Sequence, residues 1–431
     1  MEHILIYLVV ILSLVVIFGI VNEKFIKIPK DIALVLFAFI LSALIKLVSM
    51  TGLFSTDKGF IGEITSLPFE KFLLDGVLCF MLFAGASKVN VSRFKKNLGS
   101  ISLLAFLTTV LSSLLYGGLF YLLNLALNLG FDIWLCIMLG CIVSPTDPIA
   151  ATSILNKCGL SKNVTSVIEG ESLFNDGIGV AIFICFRNIV TNTSDLSLPV
   201  LLVKELFGAL FIGFVVSFLL FKLLKMTKDP MKHIFISLLT VALSYVICEY
   251  LGFSGVIASV VCGMYFSYAM SQISGWRDVV DEKDLYNDFW DVLDNILNSI
   301  LFVLIGLSIL YMPSVDSIIW LCLAAVILNL LCRFVGVLIS SLIIKRVPNH
   351  YSKLEFTSLL TWTGLKGGLS LALALTTREY LSIDAYNVVL IMTFVTIFFT
   401  IICQGLTTAR VYRLIEKSKE KRELRAMGES K

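Results

Sequence analysis

Two short stretches place carboxylates and helix-breaking residues inside long apolar runs. The first, SPTDPIAA, sets Asp147 between Pro145 and Pro148. Each proline removes a backbone donor and disfavours a continuous helix, and irregular backbone at membrane depth is tolerated only where it lines a cavity or is buried in protein. Such a break, with a carboxylate and the Thr146 hydroxyl beside it, is suited to holding a cation. The plainer alternative is a proline kink with a hydrogen-bonded aspartate.

The second stretch, EGESLFND, predicts an oxygen-rich face on one helix. Helical spacing places Ser172, Asn175 and Asp176 on one stripe, and Glu171 borders it one turn before Asn175. Hydroxyl, amide and carboxylate oxygens are hard ligands, suited to an alkali cation or a proton and not to zinc. The alternative is a structural polar network without a ligand.

Two basic residues also lie within apolar runs. Arg333, in NLLCRFVGVL, cannot lose its proton in a protein, so it requires a carboxylate partner. Glu171 is the first candidate and Glu169 the second. A fixed ion pair is therefore predicted, with a moving gate as the less favoured alternative.

Lys366 lies among glycines in TWTGLKGGLSLALAL, with Gly364 before it and Gly367 after it. Glycines in the middle of a span predict a second broken or closely packed helix. We expect Lys366 to neutralise carbonyl groups at a helix C-terminus or a carboxylate, with direct substrate contact less favoured. For Asp75, Asp291 and Asp294 we expect solvation at a helix end or the lining of a funnel.

Composition indicates a polytopic membrane protein. Of the 431 residues, 58% are hydrophobic and 15% are charged, against about 25% charged in soluble domains. Apolar windows of about 20 residues mark membrane helices. They predict thirteen spans: 3–22, 31–49, 70–87, 98–125, 130–155, 163–187, 199–221, 233–250, 253–273, 288–311, 315–343, 354–377 and 386–409.

The distribution of basic residues predicts the orientation. Of the 34 Lys and Arg residues, 26 fall in the odd-numbered loops and the tail, against five on the opposite side. Positive charge accumulates on the cytoplasmic side, so we expect the N-terminus outside, the C-terminus in the cytoplasm and the plasma membrane as location. There is no long basic block outside the last twenty residues, and no nucleic-acid partner is expected.

The two interrupted spans suggest an internal repeat. Spans five and twelve break at SPTDP and GLKGG, and the loop count gives them opposite directions. Interrupted helices in matching positions of inverted halves point to a transport site at the midplane. Spans 1–6 and 8–13, joined by span seven, are the predicted halves.

Five motifs together resemble the monovalent cation:proton antiporters of cation/proton antiporter family 1, the prokaryotic sodium/proton antiporters and the eukaryotic exchangers. They are SPTDPIAA, EGESLFNDG, GFSGVIA, FVLIGL and GLKGGLSLALAL. The resemblance implies an all-α protein of thirteen transmembrane helices, with crossed broken helices in a six-helix core. It also implies a homodimer in the lipid bilayer and an elevator-type motion. Na⁺ or Li⁺ and H⁺ would be substrates, with no cofactor and no enzymatic activity.

The resemblance also implies roles for particular residues. A cation- and proton-binding role is implied for Asp176, Asp147, Thr146, Ser172, Glu171 and Asn175. Na⁺ itself would contact Asp176, Asp147 and Ser172, and Glu171 would pair with Arg333. Many members carry arginine where this chain has Lys366, which keeps the charge but loses the fork geometry.

The implied domain division has five parts. They are dimerisation helices 1–3 in 1–97, core helices 4–6 in 98–190, a linker and dimerisation helices 7–10 in 191–312, core helices 11–13 in 313–411, and a short basic cytoplasmic tail in 412–431.

Other functions remain open at this point. The cation could be K⁺, and a channel or another cation-coupled transporter would also need polar groups in the membrane. GFSG at 252–255 fits a pattern of intramembrane serine proteases, which need a histidine near that serine, yet His3, His233 and His350 all lie near predicted helix ends. If Asp176 alone alternates between proton and cation, exchange is 1:1 and electroneutral.

Overall fold

The computed structural model describes residues 2–50, 76–147, 149–191, 193, 198–271, 280–311, 318–344 and 347–428. Within these ranges the chain is helical, and the β-type pairing consists of one isolated bridge. The predictions for Asp75 and Pro148 lie outside the described residues.

The described ranges contain α-helices that we number along the chain. They are α1 (Glu2–Val21), α2 (Lys30–Met50), α3 (Leu78–Ser87), α4 (Val91–Leu103), α5 (Thr109–Leu127), α6 (Ile133–Val143), α7 (Ile149–Lys157), α8 (Lys162–Val190), α9 (Leu198–Leu224), α10 (Pro230–Leu251), α11 (Gly255–Ser271), α12 (Val280–Leu307), α13 (Ile318–Ile343), α14 (Lys353–Thr363), α15 (Gly368–Thr376), α16 (Ile383–Phe399) and α17 (Gly405–Gly428).

These helices confirm the predicted polytopic architecture. In the described ranges, nine helical stretches are long and apolar enough to cross a membrane, and shorter apolar helices cover Leu78–Ser87, Ile133–Val143 and Gly255–Met270. The pair α14 and α15 supplies the remaining predicted span. The first residues of predicted span three, 70–75, lie outside the described part of the chain.

Two predicted spans consist of helices joined through π-helical turns. Leu104–Thr108 joins α4 to α5, and Thr400–Gln404 joins α16 to α17. A π-turn keeps the backbone hydrogen-bonded while shifting the register of the side chains. The helix that contains the last predicted span therefore continues past residue 412, where the predicted cytoplasmic tail begins, and ends at Gly428.

Small residues set the distance between neighbouring helices where they pack most closely. A Cβ atom on Gly140 of α6 would collide with the carbonyl oxygen of Ser113 in α5, and one on Gly117 would collide with the backbone at Ile137. Without side chains at these positions the two backbones approach directly. This contact holds α6, the first half of one broken helix, against the bundle.

The two broken helices meet at their interruptions. Helix α6 ends at Val143 and α7 begins at Ile149, while α14 ends at Thr363 and α15 begins at Gly368. The Asp147 backbone N–H donates to the Leu365 carbonyl at 2.8 Å, forming the isolated antiparallel bridge. Each break thus contributes a backbone group to this hydrogen bond, as irregular backbone at membrane depth requires.

Candidate functional site

The crossing of the broken helices depends on close backbone approach. A Cβ atom on Gly367 would lie 2.9 Å from the Cβ of Asp147, and one on Gly364 would lie 3.3 Å from the Cγ2 of Thr146. The Lys366 backbone N–H donates to the Thr400 hydroxyl at 3.0 Å. The glycines of the GLKGG element therefore bring the second break into contact with the first.

Lys366 neutralises the end of a helix. Its side chain is buried, and its Nζ donates to the Ser144 carbonyl oxygen at 2.8 Å. Ser144 is the C-cap of α6, where the unpaired carbonyls of a helix carry partial negative charge. This is the first of the two roles that the sequence suggested for Lys366.

A hydrogen-bond network ties the first break to α8. The Asn175 amide donates to the Thr146 hydroxyl at 2.6 Å and to Glu171 Oε1 at 3.1 Å, and its oxygen accepts from the Thr146 N–H at 3.2 Å. The hydroxyls of Thr146 and Ser172 lie 3.2 Å apart. These four residues are buried, so their contacts fix the backbone of the break beside α8.

Glu171 and Arg333 form a bidentate ion pair. Arg333 Nη1 donates to Oε1 of Glu171 at 2.8 Å and Nη2 donates to Oε2 at 3.0 Å. The side chains are 4% and 2% exposed for Arg333 and Glu171 respectively, so water screens the pair little. Glu169, the second candidate partner, lies elsewhere, on a cavity wall.

A cavity of about 290 Å³ reaches the crossing point. Asp147 and Asp176 line it at the crossing, and Glu169, Asp294 and Lys88 also line its wall. Among the described residues, four carboxylates thus face one ammonium group, and a cleft with walls of one predominant sign concentrates ions of the opposite sign. The cavity is therefore suited to attracting cations.

Asp176 is the carboxylate that remains available to a ligand. It is partly exposed on the cavity wall, and it makes no hydrogen bond or ion pair with another described residue. Its neighbour Asn175 is fully buried and points into the network instead. Of the predicted cation ligands, Asp147 and Asp176 line the cavity, whereas Ser172, Thr146 and Glu171 lie behind its wall.

Lys88 and Glu169 line the cavity although the sequence interpretation did not place them there. Lys88 forms ion pairs with Asp291 and Asp294, both at 2.8 Å. Burial lowers the pKa of Lys88, but the two carboxylates outweigh it and raise the pKa above its ordinary value. Glu169 could have been found from its spacing, since it lies seven residues before Asp176 on the same helical face. No local signal joins Lys88 to α12.

Among the described side chains, His233 and Ser254 do not form a serine protease pair. His233 lies in the first turn of α10, where its Nε2 is 2.9 Å from the Thr227 carbonyl oxygen. Ser254 follows the other end of α10 and caps α11 by accepting from the Ile257 N–H. A helix of 22 residues, at about 1.5 Å per residue, separates the two side chains.

Comparisons with known proteins agree with this geometry. The family described as sodium/hydrogen exchanger, transmembrane, matches residues 9–414. The Na⁺/H⁺ antiporter NhaP of Pseudomonas aeruginosa is 30% identical over 410 residues, covering 92% of this chain and 93% of that protein. NhaG of Bacillus atrophaeus, also a Na⁺/H⁺ antiporter, is 31% identical over 88% of this chain and 69% of its own length.

The fold also matches a solved structure. The sodium proton antiporter MjNhaP1 from Methanocaldococcus jannaschii at pH 8 superposes with a TM-score of 0.74 and 20% sequence identity. The match covers 95% of this chain and 98% of the other, so the two chains share one architecture over nearly their whole length.

Proposed function

The chain belongs to the transmembrane sodium/hydrogen exchanger family, and from that premise we propose that it exchanges Na⁺ or Li⁺ for H⁺ as a secondary active antiporter. The observation that carries the proposal is Asp176, a carboxylate on the cavity wall without a partner among the described residues. Asp147 lines the same cavity at the break of a membrane helix. The names of the two curated relatives support Na⁺ as the cation.

Asp176 carries either the proton or the cation. In the cation-bound state, the Asp147 carboxylate supplies further oxygen ligands, and we assign the Ser172 hydroxyl, which lies behind the wall here, as another ligand. In the proton-bound state, Asp176 is neutral and releases the cation. Thr146, Asn175 and Glu171 hold the ligands in place through the network described above.

Three other charged residues of the site have structural partners. Arg333 holds Glu171 in a bidentate pair, and Lys366 is bound to the C-terminal end of α6. If Asp176 is the only group that alternates between binding a proton and binding the cation, one proton crosses for each monovalent cation. The exchange is then electroneutral, and protons compete with the cation for one carboxylate, so apparent cation affinity falls as pH falls through the pKa of Asp176.

The lining of the cavity supports an elevator-type motion. Lys88 and Asp294 belong to the predicted dimerisation parts, 1–97 and 191–312, whereas Asp147 and Asp176 belong to the core part, 98–190. The cavity therefore lies between the two parts. Movement of the core, including 313–411, against a homodimeric scaffold would close this cavity and open one on the other side.

The charge distribution supports a plasma-membrane protein with its N-terminus outside and its C-terminus in the cytoplasm. In this orientation the end of α3 at Lys88 faces the cytoplasm, and the cavity is the inward access route. Exchange of protons for sodium across this membrane would serve pH and sodium homeostasis.

The test is flux through purified protein in liposomes that contain a pH-sensitive dye. Wild-type protein should exchange protons for Na⁺ and Li⁺, and Asp176→Asn should abolish exchange because an amide neither releases a proton nor offsets a cation's charge. Asp384→Asn, which neutralises an exposed carboxylate in the first turn of α16, is the matched control. Wild-type flux in the Asp176 variant would refute the assignment.

The same liposomes test selectivity and stoichiometry. K⁺-driven dye signals that exceed the Na⁺ signal would identify a K⁺/H⁺ antiporter. Clamping the membrane potential with potassium and valinomycin should leave the Na⁺/H⁺ rate unchanged. A rate that depends on an imposed potential would show that a second titrating site exists.

A further inference from the structure

One face of helix α17 combines five basic side chains with leucines and carries a net positive charge. Positions three, four, seven and eleven apart share a face of an α-helix. Eight exposed side chains form what we call the basic face: Leu406, Arg410, Arg413, Leu414, Lys417, Lys421, Leu424 and Arg425. Glu420, three residues after Lys417 and seven after Arg413, adds one negative charge at the edge of this face. Leu414 and Leu424 are each 66% exposed.

The opposite face of α17 is fixed to the protein. Ile415 is buried there, Glu416 accepts a hydrogen bond from the Tyr351 hydroxyl, and Arg422 pairs with Glu355 at 3.1 Å. Rotation of the helix would break these contacts, so Arg410, Arg413 and Lys417 point away from the bundle, whereas Lys421 and Arg425 line a cleft beside Glu355. None of its five basic side chains makes a hydrogen bond or ion pair with another described residue.

With Ile383 taken as the opposite membrane surface, helix length places the start of the basic face at the depth of the lipid headgroups. Thr407 accepts from the Trp362 indole N–H at 3.1 Å, near the break between α14 and α15, so α17 starts within the membrane. A bilayer is about 40–45 Å thick with its headgroups, which corresponds to roughly 27–30 residues of helix. Arg410 and Arg413 are 27 and 30 residues beyond Ile383, the first residue of α16.

We propose that the basic face of α17 binds the phosphate headgroups of anionic lipids in the leaflet where the last span ends. Arginine forms paired hydrogen bonds to phosphate oxygens, so Arg410 and Arg413 bind the headgroup phosphates directly. Leu414 inserts among the upper acyl carbons. Lys417, one turn further, adds long-range attraction to the negative surface. The choice of the cytoplasmic leaflet rests on the proposed orientation, whereas the lipid preference does not.

The positive charge of the basic face indicates which ligand it binds. A second copy of this chain would bring five positive charges against five, and at this depth the lipid headgroup is the anion present in excess. The contacts of the opposite face suggest a consequence for the core: α17 packs on α14, the first half of a broken helix, through Glu355 and Trp362. Lipid binding would therefore stabilise the folded core.

The experiment titrates delipidated full-length protein in dodecyl maltoside with phosphatidylglycerol or phosphatidylcholine and follows the thermal unfolding midpoint by tryptophan fluorescence. Two double variants remove the same charges from the same helix. R413Q/K417Q alters the basic face, and K419Q/R422Q alters the docked face, where Lys419 lies 4.6 Å from the centroid of the Tyr351 ring. Each basic residue near an anionic surface contributes about fivefold to binding.

We expect phosphatidylglycerol to raise the wild-type midpoint at lower concentration than phosphatidylcholine, and 0.5 M NaCl to weaken this preference because salt screens surface charge (roughly 3–5 Å Debye length at that strength). R413Q/K417Q should raise the half-saturating phosphatidylglycerol concentration about tenfold or more, and K419Q/R422Q should change it by less than about threefold. An unchanged response in R413Q/K417Q, or equal losses in both variants, would overturn the proposal. The proposal would also be overturned if R413Q/K417Q changed the oligomeric state of the protein while its response to phosphatidylglycerol stayed constant.

Discussion

Separating Glu171 from Arg333 should destabilise the protein more than almost any other single charge deletion. Both side chains are nearly inaccessible, at 2% and 4% exposure, and they are joined by two hydrogen bonds of 2.8 and 3.0 Å. Arg333→Ala leaves a buried carboxylate without its cation, and Glu171→Ala leaves a guanidinium that cannot deprotonate.

The expected loss follows from the geometry of the pair. Two unit charges with centres about 4 Å apart attract by about 4 kcal/mol at an effective dielectric constant near 20. Breaking a buried pair by removing one partner costs about 3–5 kcal/mol. The Asn175 amide also donates to Glu171, so Glu171→Ala should lie at the upper end of this range and Arg333→Ala nearer the middle.

The assay is reversible unfolding by sodium dodecyl sulfate in mixed micelles, followed by tryptophan fluorescence, for wild type, both single variants and the double variant. Because the double variant leaves no unpaired charge, its loss should be close to that of one single variant. The coupling free energy should then be at least about 2 kcal/mol, within the range seen for residues in direct contact.

The control is the exposed pair of Lys232 and Asp229, whose side chains are 65% and 45% exposed at a separation of 3.8 Å. Such pairs contribute about 0–1 kcal/mol, so Lys232→Ala should change stability by no more than that. If the losses from Arg333→Ala and Glu171→Ala add within about 0.5 kcal/mol, the two residues are not energetic partners and the reasoning fails.

Three further predictions follow from the site and the topology. Glu169→Gln should raise the KM for Na⁺ about 2- to 15-fold, because it removes a charge roughly 10 Å from Asp176; an unchanged KM in liposome flux would exclude attraction by Glu169. Gly367→Ala should lower the free energy of unfolding by about 1–3 kcal/mol and weaken Na⁺ binding, because its Cβ would press on Asp147. A Cβ on Gly118 meets nothing within 4 Å, so the control Gly118→Ala should lower neither quantity. An epitope tag after the last residue should be inaccessible to antibody in intact cells, and labelling there would reverse the proposed orientation.

The sequence determined the spans and the positions of the breaks, because both depend on residues that are close together in the chain. A bilayer requires about 20 apolar residues for a helix to cross it, so hydropathy marks each span. Proline at 145 and glycines at 364 and 367 interrupt helices through local backbone chemistry. The 3.6-residue period of a helix likewise places Ser172 and Asp176 on one face of α8, because that period depends on local backbone geometry alone.

Only the tertiary structure decided which of these residues meet and which face the cavity. Asn175 and Asp176 are adjacent in sequence, yet one is fully buried in a hydrogen-bond network and the other lines the cavity. Lys366 caps the end of α6 from 222 positions away. Contacts of this kind depend on how whole helices pack against one another. The glycines beside Lys366 indicate close packing, but the neighbours of Lys366 and Asp176 in the chain do not specify which residues they will meet.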